Sequence, residues 1–144
     1  LLFSVVSCSQ KTVSPEVQRL EGQKELLKKH TKLNDLKLDL ENELTRVQQL
    51  TKDVEEANKE ADKSASEAKD TSRDLTKDPG DEKLSKQAEK AAKRAANDAK
   101  KARKLNEKLG DSNEEVKSLQ REIVDLQREL SLLEKKIDFV PNSK

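Results

Sequence analysis

Chemistry in this chain begins with its single cysteine. Val5-Val6-Ser7-Cys8 has the shape of a lipobox: apolar residues for a signal-peptidase groove, a small residue before the cut, and a Cys whose thiol accepts a diacylglyceryl group. Leu1 to Ser7 are too few to span a bilayer, which needs about twenty apolar residues. They read as the end of a signal peptide that starts before Leu1, so residues 1–7 should be absent from the mature protein. Residues 8–16 then form a lipidated, polar tether. The plain alternative is a stray thiol on a frayed terminus. A lone Cys also leaves no partner for an intrachain disulfide.

Other reactive groups are sparse. His30, the only histidine, lies among Lys28, Lys29 and Lys32 and reads as a solvated flank residue. The carboxylates alternate with Lys and Arg along helical stretches, where salt-bridged surface is the default. Three glycines supply no phosphate-binding loop, and no carboxylate and imidazole cluster offers metal ligands. We therefore expect no catalytic residues, no cofactor, no metal and no enzyme activity.

The body must instead be explained by its elements. With 41% charged, 31% hydrophobic and 1% aromatic residues, the chain is too lean for an ordinary globular core. Its apolar residues are nevertheless periodic. Leu26, Leu33, Leu40, Val47, Val54, Ala61, Ala68 and Leu75 recur every seven residues. A companion seam of Leu36, Leu44, Leu50, Ala57 and Ala65 is interrupted by Lys29 and Glu43. Together they predict one helix from Ser14 to Thr76. Val116, Leu119, Ile123, Leu126, Leu130, Leu133, Ile137 and Val140 alternate spacings of three and four. Between these seams, Leu84, Ala88, Ala91, Ala95, Ala99, Ala102, Leu105 and Leu109 form an alanine-rich helix, and small seam residues let helix axes approach closely.

Asp78-Pro79-Gly80-Asp81 reverses the chain, since Pro restrains the preceding residue and Gly permits positive φ. Charge supports the pairing of the two arms: residues 52–78 carry six Lys or Arg against nine Asp or Glu, and residues 82–109 carry ten against four. Leu109-Gly110 resembles a helix end, and Ser112 with Glu115 fits a capping box. The expected fold class is thus all-α, an elongated antiparallel coiled-coil hairpin of about 90 Å with a break near Gly110. The alternative is a three-helix bundle. Residues 17–140 would form one helical domain, with 141–144 as a C-terminal tail.

A lipobox, a polar tether and a nearly aromatic-free helical body resemble the surface lipoproteins of spirochaetes. The pattern from Val5-Val6-Ser7-Cys8 to Val140 is most similar to the factor H-binding lipoproteins of relapsing-fever spirochaetes. That resemblance implies an outer-membrane, cell-surface protein that captures the host complement regulator factor H, with plasminogen as a second ligand, for complement evasion. It transfers no binding residue. The residues themselves offer the loops Asp78, Pro79, Gly80, Asp81 and Gly110, Asp111, Ser112, Asn113, whose backbone groups a helix would not all use. The partners expected are a host serum protein and, through the lipid anchor only, a membrane; the chain would be a monomer or homodimer.

Nucleic acid fits poorly with a net charge of +1 and no aromatic stacking platform. Lys90, Lys93, Arg94, Lys100, Lys101, Arg103 and Lys104 read first as a salt-bridged face toward the acidic arm, and second as attachment to an anionic host polymer or an acidic protein patch. A competing function is a structural envelope lipoprotein resembling murein lipoprotein, in which Lys144 would be the residue joined to peptidoglycan.

Overall fold

A computed structural model of the chain describes residues 13–140. It contains two helices, α1 (Pro15–Lys77) and α2 (Glu82–Asp138), and no other regular element among the described residues. The fold is all-α. Local sequence explains each boundary. Ser14 caps α1 by accepting the Val17 amide at 3.3 Å, and Pro15 occupies the first turn, where its missing N–H costs nothing. The helix thus starts one residue after the Ser14 expected from the heptad seam, and Pro15 and Glu16 are its first residues. At the other end, Pro79 disfavours helical backbone at Asp78, and α1 stops at Lys77.

Contacts divide the chain into two compact units. The larger, Leu38–Gln120, is an antiparallel helical hairpin closed by the turn at residues 78–81. The turn is held by the Asp81 amide donating to the Asp78 carbonyl at 3.3 Å. Gly80 does not use a positive φ, contrary to expectation. The inner face of α1 runs through Leu50, Val54, Ala57 and Ser64, and that of α2 through Ala102, Ser112, Val116 and Leu119, all buried. Burying a Leu or Val fully is worth roughly 1.5–3 kcal/mol, so this stripe supplies most of the unit's stability.

Two features of this unit correct the expectation from sequence. Helix α2 has no break at Gly110: it is continuous from Glu82 to Asp138, and no third helix exists among the described residues. The inner positions continue in phase as Leu105, Leu109, Ser112 and Val116, so packing holds the helix through a glycine that costs only about 1 kcal/mol relative to alanine. Ser112 and Glu115 accordingly form no capping box. Polar residues, moreover, fill places assigned to alanine. Ala65 and Ala99 are exposed, whereas Ser64 is 1% exposed and Asp98 half-buried. Ser64 satisfies its hydroxyl by donating to the Ala61 carbonyl at 3.2 Å.

The second unit pairs residues 13–37, with the start of α1, against residues 121–140, with the end of α2. Leu33 and Leu36 are buried from one side and Ile123, Leu126 and Leu130 from the other. The helices are antiparallel, with Lys29 reaching Glu129 at 2.7 Å and Gly22 lying against Ile137. A Cβ on Gly22 would come within 2.8 Å of Ile137 Cγ1, so glycine sets the helix approach here. Lys29 and Glu43, read from sequence as interruptions of a seam, are half-buried inner-face residues with charged or hydroxyl partners.

Candidate functional site

The expected contact residues fall into two groups with different fates. Asp78, Pro79 and Gly80 are exposed, and nothing lies within 4 Å of the place a Gly80 side chain would occupy. Asp81 has a structural duty: its Oδ1 accepts the Lys83 amide at 2.7 Å and the Leu84 amide at 3.1 Å, capping α2. The turn thus presents the Asp78 carboxylate and open backbone on a rigidly capped platform.

Gly110, Asp111, Ser112 and Asn113 are not a loop, and their backbone groups serve the helix. Ser112 is 3% exposed and donates to Glu43, while Asn113 Nδ2 donates to the Leu109 carbonyl at 2.9 Å. Gly110 and Asp111 remain on the exposed face. About 45 Å of α2 separates Ser112 from Asp81, at 1.5 Å per residue, so the two groups are not one site. Cys8, the rest of residues 1–12 and Lys144 lie outside the described residues.

The charge complementarity of the arms converges on Arg94. Its guanidinium reaches Glu60 at 2.9 Å and Glu67 at 3.4 Å on α1, and Asp98 at 3.7 Å on its own helix. The hydrogen bond to Glu60, then the Glu67 charge, pushes the Arg94 pKa up. Asp98 Oδ2 is buried with no hydrogen-bond partner. By contrast Lys100, Lys101, Lys104 and Lys108 form no ion pair among the described residues, so the expected salt-bridged face is realised at Arg94 and not along the whole basic arm. The lysine excess was visible in the sequence. Its failure to pair was not, because that depends on which side of the helix each lysine occupies.

In the smaller unit, a cleft of about 380 Å3 is lined by Gln18, Glu21, Gly22, Lys136, Ile137 and Val140, among others. Beside it Lys29 and Glu129 hold each other charged: their hydrogen bond raises the Lys29 pKa and lowers that of Glu129. His30 is half-exposed, 3.7 Å from Glu134. Among the described residues there is no group of three or more potential metal ligands, and no helix is long and apolar enough to cross a membrane. No family model, no curated protein and no solved structure matches the chain.

Proposed function

We propose that this protein is a lipid-anchored bacterial outer-membrane protein that captures a host serum protein, the complement regulator factor H, at the cell surface. The observation that carries the reading is Val5-Val6-Ser7-Cys8 ahead of a polar stretch and a charged helical body. A lipid-modified Cys8 would fix the chain to a membrane without a spanning helix. Pairs of long helices with charged outer faces offer surface for recognition in preference to an enclosed pocket for catalysis. The capped turn, with Asp78, Pro79 and Gly80 exposed, supplies the contact surface.

The test passes serum over the immobilised chain and identifies what is retained. Factor H should dominate the eluate, and Asp78→Lys should weaken its capture at least tenfold while leaving the circular dichroism spectrum unchanged. Retention of no serum protein would reject the proposal. Metabolic labelling with a radioactive fatty acid should mark the wild type and not Cys8→Ala; an unlabelled wild type would remove the anchor.

A further inference from the structure

The lysines of α2 that remain outside ion pairs are arranged along one flank. Asn97, Lys100, Lys101, Lys104 and Lys108 line a shallow trough of about 460 Å3, and Lys83, Lys86 and Lys90 line a second of about 590 Å3 on the same helix. Helical spacing aligns the two. Lys83, Lys90 and Lys104 stand at multiples of seven, as do Lys86 and Lys100, and residues seven apart share a helix face. From Lys83 to Lys108 the row extends about 37 Å, at 1.5 Å per residue.

Asp81 and Glu82 line the second trough beside Lys83, whereas the carboxylates around Lys100 to Lys108 are already engaged. Asp98 lies 3.7 Å from Arg94, Glu107 lies 3.8 Å from Arg103, and Glu60 and Glu67 of α1 are both held by Arg94. Arginines thus neutralise the local acids and leave the four lysines at 100, 101, 104 and 108 uncompensated, each exposed.

We propose that this flank of α2 binds a linear anionic polysaccharide bearing sulfate and carboxylate groups. Three observations select that partner. The troughs are shallow, and the half-buried Leu105 is the one large apolar side chain that lines them, whereas a protein partner needs a buried apolar or aromatic anchor. The cations of the troughs are all lysines, and no aromatic residue lies between 38 and 120. Duplex or single-stranded nucleic acid is better served by arginine forks and stacking rings. Finally, cations in a straight row match charges that recur along an extended polymer, and such binding is driven by release of the polymer's condensed counterions.

The experiment titrates the full chain with a fluorescent heparin oligosaccharide at 0.15 M salt. Lys100→Gln, Lys101→Gln, Lys104→Gln and Lys108→Gln combined should weaken binding at least tenfold and lower the log–log salt slope by about three, near 0.7–0.9 per contact. An equal neutralisation on α1, of Lys52, Lys59, Lys63 and Lys69, should change affinity less than threefold. Circular dichroism confirms that both variants are helical. No binding by the wild type, or equal losses in both variants, overturns the proposal. Equal affinity for duplex DNA or polyglutamate overturns the choice of polysaccharide, and a salt-sensitive dimer without polysaccharide binding assigns the row to a second copy of the chain. Factor H capture is measured separately, so each proposal stands or falls alone.

Discussion

Ser112 of α2 donates its hydroxyl to the Glu43 carboxylate of α1 on the inner face of the Leu38–Gln120 unit, where Ser112 is 3% exposed. Glu43 also has Arg46 at 3.7 Å on its own helix. Removing one partner of a buried pair leaves the other desolvated and unsatisfied, which costs more than the bond itself contributes. Ser112→Ala should therefore lower stability by about 1–3 kcal/mol. Glu43→Leu combined with Ser112→Ala, which replaces the pair by apolar groups of similar volume, should recover wild-type stability or exceed it. Urea unfolding of the wild type and the two variants measures both effects, and a double variant no better than Ser112→Ala would mean that the pair is not insulated from water.

The same pair explains how much of the fold could be read in advance. Apolar residues at alternating spacings of three and four announced both helices, and Leu33, Val54, Leu126 and Leu130 are buried where the pattern put them. Asp78-Pro79 likewise announced the turn, through a steric restriction that needs no tertiary context. Ser64, Asp98 and Ser112 stayed hidden, because a search for apolar residues slides to the neighbouring Ala65 and Ala99 when a polar residue occupies an inner position. At Gly110 the local chemistry argued for a helix end, and the phase of Leu105, Leu109, Ser112 and Val116 overrode it. The turn was legible as a candidate contact site, while the unpaired lysine row depends on cross-helix geometry that composition does not contain.

Two helical glycines, Gly110 of α2 and Gly22 of α1, should respond oppositely to a side chain. Nothing lies within 4 Å of a Cβ added at Gly110, and the backbone there is helical with no positive φ. Gly110→Ala should stabilise the protein by about 1 kcal/mol through helix propensity alone. Were the residue a left-handed helix cap, the same change would destabilise. Gly22→Ala gains the same propensity but drives a Cβ to 2.8 Å from Ile137 Cγ1, and overpacking of that kind costs about 1–3 kcal/mol. Its net effect should be neutral to destabilising, and Ile137→Ala should convert it to a gain. Thermal melts of the two variants and of the double variant Gly22→Ala with Ile137→Ala decide the matter.

Asp81 joins the candidate contact surface to the stability of α2. Its Oδ1 accepts two amides of the first turn, so Asp81→Ala should cost about 1 kcal/mol, the usual loss for an aspartate cap. Asp81→Asn or Asp81→Ser, which keep an accepting oxygen, should restore most of it. Asp78 accepts only a backbone bond through its carbonyl, and Asp78→Ala should leave the melting temperature nearly unchanged. Equal losses at the two positions would show that the cap is not formed in solution.

The Lys29–Glu129 pair predicts how the smaller unit responds to pH. The hydrogen bond from Lys29 holds the Glu129 pKa below its unfolded value. Its contribution is thus present above the ordinary carboxylate range and is lost as pH falls through the depressed value. Lys29 carries the opposite sign: its raised pKa keeps the contribution below the ordinary lysine range, and it is lost as pH rises through the raised value. Both groups are solvent-accessible, so the effect is a modest one that salt screens. Melting temperature should fall on the acid side less steeply in Glu129→Gln than in the wild type, and on the alkaline side less steeply in Lys29→Gln. The wild-type advantage over both variants near neutrality should shrink when salt is raised from 0.05 to about 0.5 M, where the Debye length drops well below 10 Å. Acid and alkaline limbs identical in wild type and variants would mean that the 2.7 Å contact is not maintained in solution.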